Sequence, residues 1–580
     1  MNLKKVSPRF FISDQLSVTD IGIAAAQGIR TIVNNRPDGE EQTQPTTSEL
    51  REAAESLGLG FVDLPIKPGK ITDEHIEKFE ALSRDTPAPM LSFCRSGARA
   101  MSLWALAEAR TLNVDAVLAT AEEAGHDLES LRDRLVARAA AGVSVPTAAA
   151  EPTRAKSYDV VVVGGGTGGI STAMGLLKRR SNLDILIVEP RDAHYYQPGW
   201  TLVGGGVFDR AKTQRKMADV MPDGVDWKRA AVAEFEPERN SVILEDGERI
   251  QYRALVTATG IKLDWDAIDG LRETLGKNGV TSNYLYDMAP YTWQLVQDLR
   301  KGRALFTQPP MPIKCAGAPQ KAMYLSCDHW LSMGRLKDID VEFHNAGGVL
   351  FGVADYVPAL MNYVEKYDAK LCLNENLVAV DGPAKKAWFD RTNEDGSKER
   401  IESEFDMMHV CPVQTAPDVI RNSDLANDGG WVDVSAETLQ HTRYGNIFAV
   451  GDVASAPNAK TAAAIRKQAP VVADNVIGVL DGMAPHAVYD GYGSCPLTVE
   501  RGRIVLAEFG YGGKHLPTFP QWIINSFEPS RLAWLLKEKM LPAIYWDLLL
   551  KGREWLVDVE RLPQVPAAHE ASPAYETATK

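Results

Sequence analysis

Short apolar runs alternate along this chain with longer stretches in which apolar residues recur at helical spacing. The segment "IRTIVNNRPDGEE" (Ile29 to Glu41) predicts a strand followed by a polar turn, and "APMLSFCRSGARAMSLWALAEA" (Ala88 to Ala109) predicts a buried strand, a tight loop and a helix. The stretch "ARAAAGVSVPTAAAEPTRAKS", rich in Ala and Pro and poor in large apolar residues, then breaks the pattern as a tether between folded units does. Beyond it, "YDVVVVGGGTGGISTAMGLLKRRSNLDILIVEP" restarts the alternation as strand, glycine loop, helix and second strand, which predicts an α/β fold. No repeat or low-complexity tract interrupts it.

Composition narrows the picture. A chain of 580 residues exceeds one core, so several domains are expected. Its 45% hydrophobic and 24% charged residues are ordinary for a soluble globular protein, and a formal charge of −14 without a Lys/Arg block argues against nucleic acid as a partner. The start, "MNLKKVSPRFFISDQL", breaks its apolar run with polar residues and Pro, so no secretory signal is read and a cytoplasmic location is expected. Six cysteines (Cys94, Cys315, Cys327, Cys372, Cys411, Cys495) are scattered and form no C-x-x-C pair. Any disulfide is therefore expected to be redox-active, and no metal site is expected.

The glycine loop carries the first chemistry. Gly164 permits a tight turn, Gly166 lets backbone approach a pyrophosphate at a helix N-terminus, and Gly169 lets helix and strand pack closely. Glu189, twenty residues past Gly169, stands where a carboxylate accepts bonds from ribose hydroxyls. Two later segments point to FAD: "ALVTATGIKLDW", a strand ending at Thr259-Gly260, and "YGNIFAVGDVASAPNAKTAAAIRKQA", a strand ending at Gly451-Asp452 before a helix. Asp452 suits the ribityl chain, and Lys460 with the helix start would stabilise negative charge on reduced flavin. In the inserted unit between them, "GRALFTQPPMPIKCAGAPQKAMYLSCDHW" lacks a second phosphate loop. Cys315 takes its place beside Lys314 at a helix N-terminus, where a thiolate is favoured.

The segments "YYQPGWTLVGGG", "PIKCAGAPQKAMYL", "GWVDVSAETLQHTRYGNIFAVGD", "KTAAAI" and "YDGYGSCPLT" resemble the sulfide:quinone oxidoreductases of animal mitochondria, from about Tyr158 to Lys551. The resemblance implies noncovalent FAD, hydrosulfide as substrate and quinone as electron acceptor. It pairs Cys315 with Cys495 as the redox cysteines, and places Thr167, Gly168, Glu189, Gln197, Asp452 and Lys460 at FAD. It further implies that hydrosulfide opens the cysteine disulfide, leaving a persulfide on Cys495 and a Cys315 thiolate that passes electrons to the flavin. The sulfane sulfur then leaves to a small thiol or a sulfite-type acceptor. Cys327 and Cys372 are read as core residues; Cys411, at a strand end, is read as core as well, with a place near the flavin-domain junction left open.

Quinone implies a membrane surface. In "SRLAWLLKEKMLPAIYWDLLLKGREWL" no run reaches the roughly 20 apolar residues needed to span a bilayer; its Leu532, Trp534, Leu535, Met540, Leu541, Ile544, Tyr545, Trp546, Leu549 and Leu550 suit either a helical hairpin packed on the core or on a second subunit, or two short helices lying in the headgroup region, and the resemblance implies the second. The protein is thus expected to be monotopic, on the inner face of the membrane, and possible homo-oligomerisation is left open. In the N-terminal part, Cys94 opens a loop whose Arg99 follows five positions later, one short of the spacing of a cysteine phosphatase. The segment resembles the phosphatase-fold sulfurtransferases, which implies a rhodanese-like loop where Arg95 and Arg99 hold an oxyanion.

The expected organisation is a phosphatase-like α/β domain over 1–139, a linker over 140–156, and an FAD-binding domain in two parts, 157–275 and 410–485. A second Rossmann-like domain occupies 276–409, and a C-terminal region with the second redox cysteine and the membrane-facing helices occupies 486–580. Two rival readings stand beside this one. An NADH:quinone dehydrogenase would need the phosphate loop that Cys315 replaces, and a non-catalytic persulfide sensor would not turn over quinone.

Overall fold

The computed structural model describes residues 3–7, 9–41, 44–86, 89–109, 114–141 and 156–566. Most of the expected linker, 142–155, and the last residues of the C-terminal region, 567–580, lie outside the described residues. The chain forms two compact units, Met1–Pro152 and Thr153–Lys580.

The first unit is built on a five-stranded sheet in the order Lys4–Ser7, Phe10–Ser13, Met90–Phe93, Thr31–Asn34, Gly60–Asp63. All pairs after the first are parallel. Its central strands are buried at every position, because helices cover both faces and leave two apolar clusters, one around Phe79 and Trp104, the other around Leu50 and Phe93.

In the second unit, Ile185–Val188, Ser157–Val163 and Arg249–Thr257 form a parallel core, with Ile447–Ala449 pairing onto Arg249–Thr257. The helix Thr167–Arg179 starts at the glycine loop, and Ala462–Leu480 packs against it. A second, all-parallel sheet runs Val280–Thr281, Met407–His409, Gly302–Gln308, Ile339–Asn345, Lys370–Leu373. The helix Ala318–Ser332 follows its central strand, and the hairpin Gly493–Glu500/Arg503–Phe509 packs on that helix.

The C-terminal helical run, Arg531–Leu535, Leu536–Met540, Leu541–Ala543 and Ile544–Leu549, contains two stretches wound as π-helix. It corrects part of the headgroup reading. Tyr545, Trp546 and Leu550 are buried against Ile170, Tyr196 and Met217, because the run folds back onto the first glycine-loop helix. Leu532, Leu535 and Met540 are exposed, joined by Ile523 and by Trp522 at 85%. Among the described residues no helix is long and apolar enough to cross a membrane.

Candidate active site

Two cysteines 180 positions apart meet at one point, Cys315 Sγ and Cys495 Sγ being 3.6 Å apart. Cys315 precedes the helix Ala318–Ser332 and adopts a left-handed φ of 51°. That conformation costs a non-glycine residue about 1–2 kcal/mol, and two backbone bonds hold it: Cys315 N–H donates to Lys460 O at 2.9 Å, and Cys315 O accepts from Ala318 N–H at 2.7 Å. Cys495 projects from the strand Gly493–Glu500, which lies on the same helix. Gly317 makes the approach possible, since a Cβ there would stand 2.2 Å from Leu497 Cδ2 and 2.7 Å from Cys495 Sγ.

Two buried lysines flank the pair. Lys321 Nζ donates to Cys315 Sγ at 3.0 Å, and Lys537 Nζ donates to Pro496 O at 3.3 Å. The bond from Cys495, opposed by burial and aided by the Lys321 ammonium, holds the Cys315 thiol well below its ordinary range. The same bond, together with burial, pushes Cys495 well above it. Reduced, the pair is therefore a Cys315 thiolate beside a Cys495 thiol. Against the cost of burial, the two sulfurs keep Lys321 charged. Burial and the neighbouring Lys321 bring Lys537 down to about 7. The sequence reading passed over both lysines. Lys321 had a signal, a lone charge among apolar residues of "APQKAMYL"; nothing in "LLKEKM" distinguishes Lys537 from Lys539.

From Cys315 a cavity of about 350 Å³ extends to the glycine loop and is lined by Gly166, Thr167, Gly168, Glu189, Gln197, Gly260, Asp452 and Lys460 among others. The loop is shaped for close approach. A Cβ on Gly169 would lie 1.9 Å from Gly164 O, whereas one on Gly166, which faces the cavity, would meet nothing within 4 Å. Glu189 accepts from Gly165 N–H at 2.8 Å and Arg191 N–H at 2.9 Å, which leaves carboxylate lone pairs for a diol. Burial pushes the Asp452 carboxyl up, opposed by Lys460 and Lys314. Lys460 Nζ donates to Asp452 O and Ala454 O, and burial lowers it to about 8. Gln197 Oε1 accepts from Lys314 Nζ at 2.6 Å.

The lining also holds buried polar atoms with no protein partner: Thr259 Oγ1, both amide atoms of Asn283, Thr201 Oγ1 and Trp200 Nε1. These atoms are shielded by their own surroundings; the open approach at Gly166 and the lone pairs left on Glu189 are what fit the expected FAD. Tyr545, expected from the sequence at the membrane surface, instead closes the cradle. Its hydroxyl lies 2.7 Å from Thr167 Oγ1 and from His194 Nε2. Cys411 stays in the core, where burial pushes its thiol up to about 12.

In the first unit Cys94 is buried between the strand Met90–Phe93 and the helix Ala98–Glu108. Arg99 reaches Cys94, as expected, but both arginines also have carboxylate partners that the sequence did not show. Arg99 donates from Nη1 and Nη2 to Glu40 at 2.7 and 2.8 Å, and Arg95 pairs with Glu41 at 3.0 Å. Carboxylates of the "NNRPDGEE" turn thus occupy both guanidinium groups, because the turn brings Glu40 and Glu41 to the loop. An incoming oxyanion must displace or share them.

Comparison with known proteins gives the following matches. A family model described as pyridine nucleotide-disulphide oxidoreductase matches residues 158–288, and one described as beta-lactamase hydrolase-like protein, phosphatase-like domain, matches residues 2–111. The protein named "Sulfide:quinone oxidoreductase, mitochondrial" of Mus musculus is 38% identical over 69% of this chain and 88% of its own length. The beta-lactamase hydrolase-like protein of Agrobacterium fabrum is 32% identical over 19% of this chain, which spans a quarter (25%) of that relative. The solved structure of the sulfide:quinone oxidoreductase from Aquifex aeolicus shares the fold, with a TM-score of 0.58 at 19% identity, covering 73% of this chain and 100% of that one.

Proposed function

The chain belongs to the sulfide:quinone oxidoreductase family, and from that membership we propose that it oxidises hydrosulfide at Cys315 and Cys495, loads the electrons onto FAD and delivers them to quinone. The observation that carries the reading is the 3.6 Å approach of the two thiols, of which Cys315 lines the cofactor cavity.

A disulfide needs about 2.05 Å between sulfurs, so oxidising the pair draws the two side chains together. Hydrosulfide attacks the Cys495 sulfur of that disulfide. A new S–S bond forms on Cys495, the old bond breaks, and Cys315 leaves as thiolate with the bonding electron pair. The charge distribution supports this direction. Lys321 sits on the leaving sulfur, which makes Cys315 the better leaving group, and Cys495 retains the persulfide. FAD, when bound along the glycine loop, supplies the two-electron acceptor. Lys460 and Lys314 place positive charge in the lining, suited to an anionic reduced cofactor.

The lipid side is read from the C-terminal run. Leu536, Leu541, Ile544 and Trp555 line the cavity, and exposed Leu532, Leu535, Met540 and Trp522 continue outward with Arg531 and Lys539. This combination suits peripheral seating in the headgroup region of the inner membrane face and quinone entry from the lipid. The first unit, proposed as a sulfurtransferase over 1–139, receives sulfane sulfur at Cys94. Tethering raises its effective concentration to the order of millimolar where the linker reaches.

The test is turnover. Under anaerobic conditions hydrosulfide should bleach the bound flavin and a soluble quinone restore it, with no bleaching by NADH. Bleaching by NADH and not by hydrosulfide would replace this reading with the dehydrogenase.

A further inference from the structure

The second parallel sheet collects another set of donors. Glu342 and His344 stand two apart on the strand Ile339–Asn345 and so share a face. Cys372, on the adjacent strand Lys370–Leu373, is in register with His344. One ligand atom from each of the three lies within 4.8 Å of the others, and Glu342 Oε2 is 3.1 Å from His344 Nε2. The remaining ring nitrogen, Nδ1, is 2.7 Å from Glu375 Oε2. Glu375 is in turn held by Arg391 Nε at 2.8 Å, and Phe389 stacks on the imidazole at 3.9 Å.

We propose that Glu342, His344 and Cys372 bind a divalent cation of the zinc type. Two features favour a metal over a simple ion-paired histidine. The donors are a thiol, an imidazole and a carboxylate, the mixture that zinc takes in tetrahedral sites; ion pairing alone gives the thiol no task. The His344–Glu375 bond, backed by Arg391, is the outer contact that orients a metal-bound histidine. Bonds of about 2.0–2.3 Å to zinc put ligand atoms roughly 3.3–3.8 Å apart, so side-chain rotations closing the set by about 1 Å suffice. A thiolate ligand requires that the Cys372 proton leave as the ion binds. A water completes the fourth position. The ion joins two strands of the parallel sheet, and the His344–Glu375 bond links that site to the antiparallel strands Glu375–Asp381 and Lys386–Thr392, which supply Glu375, Phe389 and Arg391.

The test uses the full-length holoenzyme carrying Cys94→Ser, Cys315→Ser and Cys495→Ser, which removes the other thiols proposed to react. After chelation and equilibrium dialysis against micromolar zinc, metal per FAD is measured by mass spectrometry. One zinc per chain is expected, together with a zinc-dependent rise in the thermal midpoint. Adding Cys372→Ser, or separately Glu342→Gln, should weaken binding at least tenfold and abolish the midpoint rise. Either variant alone suffices if the other fails to fold. Absence of stoichiometric zinc in the parent, or binding unaltered in either variant that folds, overturns the assignment.

Discussion

Lys321 sets which of the two sulfurs carries negative charge. Its ammonium contacts Cys315 and is buried, so its field is little screened by solvent. Because the Cys315 thiol is held below its ordinary range, the reduced protein should alkylate there at mildly acidic pH, where an ordinary thiol is protonated and inert. Lys321→Met lets the thiol pKa rise, so the thiolate fraction at that pH falls. Alkylation is expected to slow by about tenfold or more, read by mass spectrometry of Cys315 against pH; an unchanged profile would remove Lys321 from the account. At this scale the sequence was partly readable. Cys315 stood out because a thiol replaced a phosphate loop, and Glu189 because it followed the glycines at the right interval. The environment of the pair was not readable, since Lys321 and Lys537 act across a helix face and from a segment 216 positions further on. The Arg99–Glu40 pairing was likewise hidden, because both charges suggested separate surface roles.

Among the elements, the helix Ala318–Ser332 does most to build the site: Cys315 stands in the turn that leads into it, and its body seats the hairpin that carries Cys495. Gly317 sits where the two meet. Gly317→Ala would drive a methyl into Leu497 and the Cys495 sulfur, with a destabilisation of about 1–3 kcal/mol expected from overpacking. Urea unfolding should show this, and sulfide-dependent flavin reduction should slow as the sulfurs separate. A variant of wild-type stability and rate would mean the hairpin can shift freely. The parallel sheets were legible from apolar runs and glycine punctuation, because strands covered on both faces leave a plain apolar signature. The C-terminal run was legible only in part. One face of it is core, through Tyr545 on Thr167 and Trp546 on Tyr196, and the other is exposed; aromatic residues satisfy either demand, so pattern alone could not divide them.

At the scale of the whole molecule, the proposed function joins a soluble electron donor, hydrosulfide, to quinone at a membrane surface. Replacing exposed Trp522 and Leu535 by Glu should remove binding to anionic vesicles while leaving turnover with a soluble quinone within about twofold of wild type. Retained vesicle binding would place the membrane contact elsewhere. Cys94→Ser should preserve flavin reduction by hydrosulfide and change the sulfur product, scored by thiol-trapping mass spectrometry; an identical product spectrum would uncouple the first unit from the sulfur path. The central claim, that Cys315 and Cys495 together pass electrons from hydrosulfide to FAD, is met most directly by anaerobic stopped-flow spectroscopy of the flavin after mixing with hydrosulfide. Cys315→Ser and Cys495→Ser should each slow bleaching by at least about a thousandfold, the loss typical of removing a covalent nucleophile. Bleaching at the wild-type rate in either variant would contradict it.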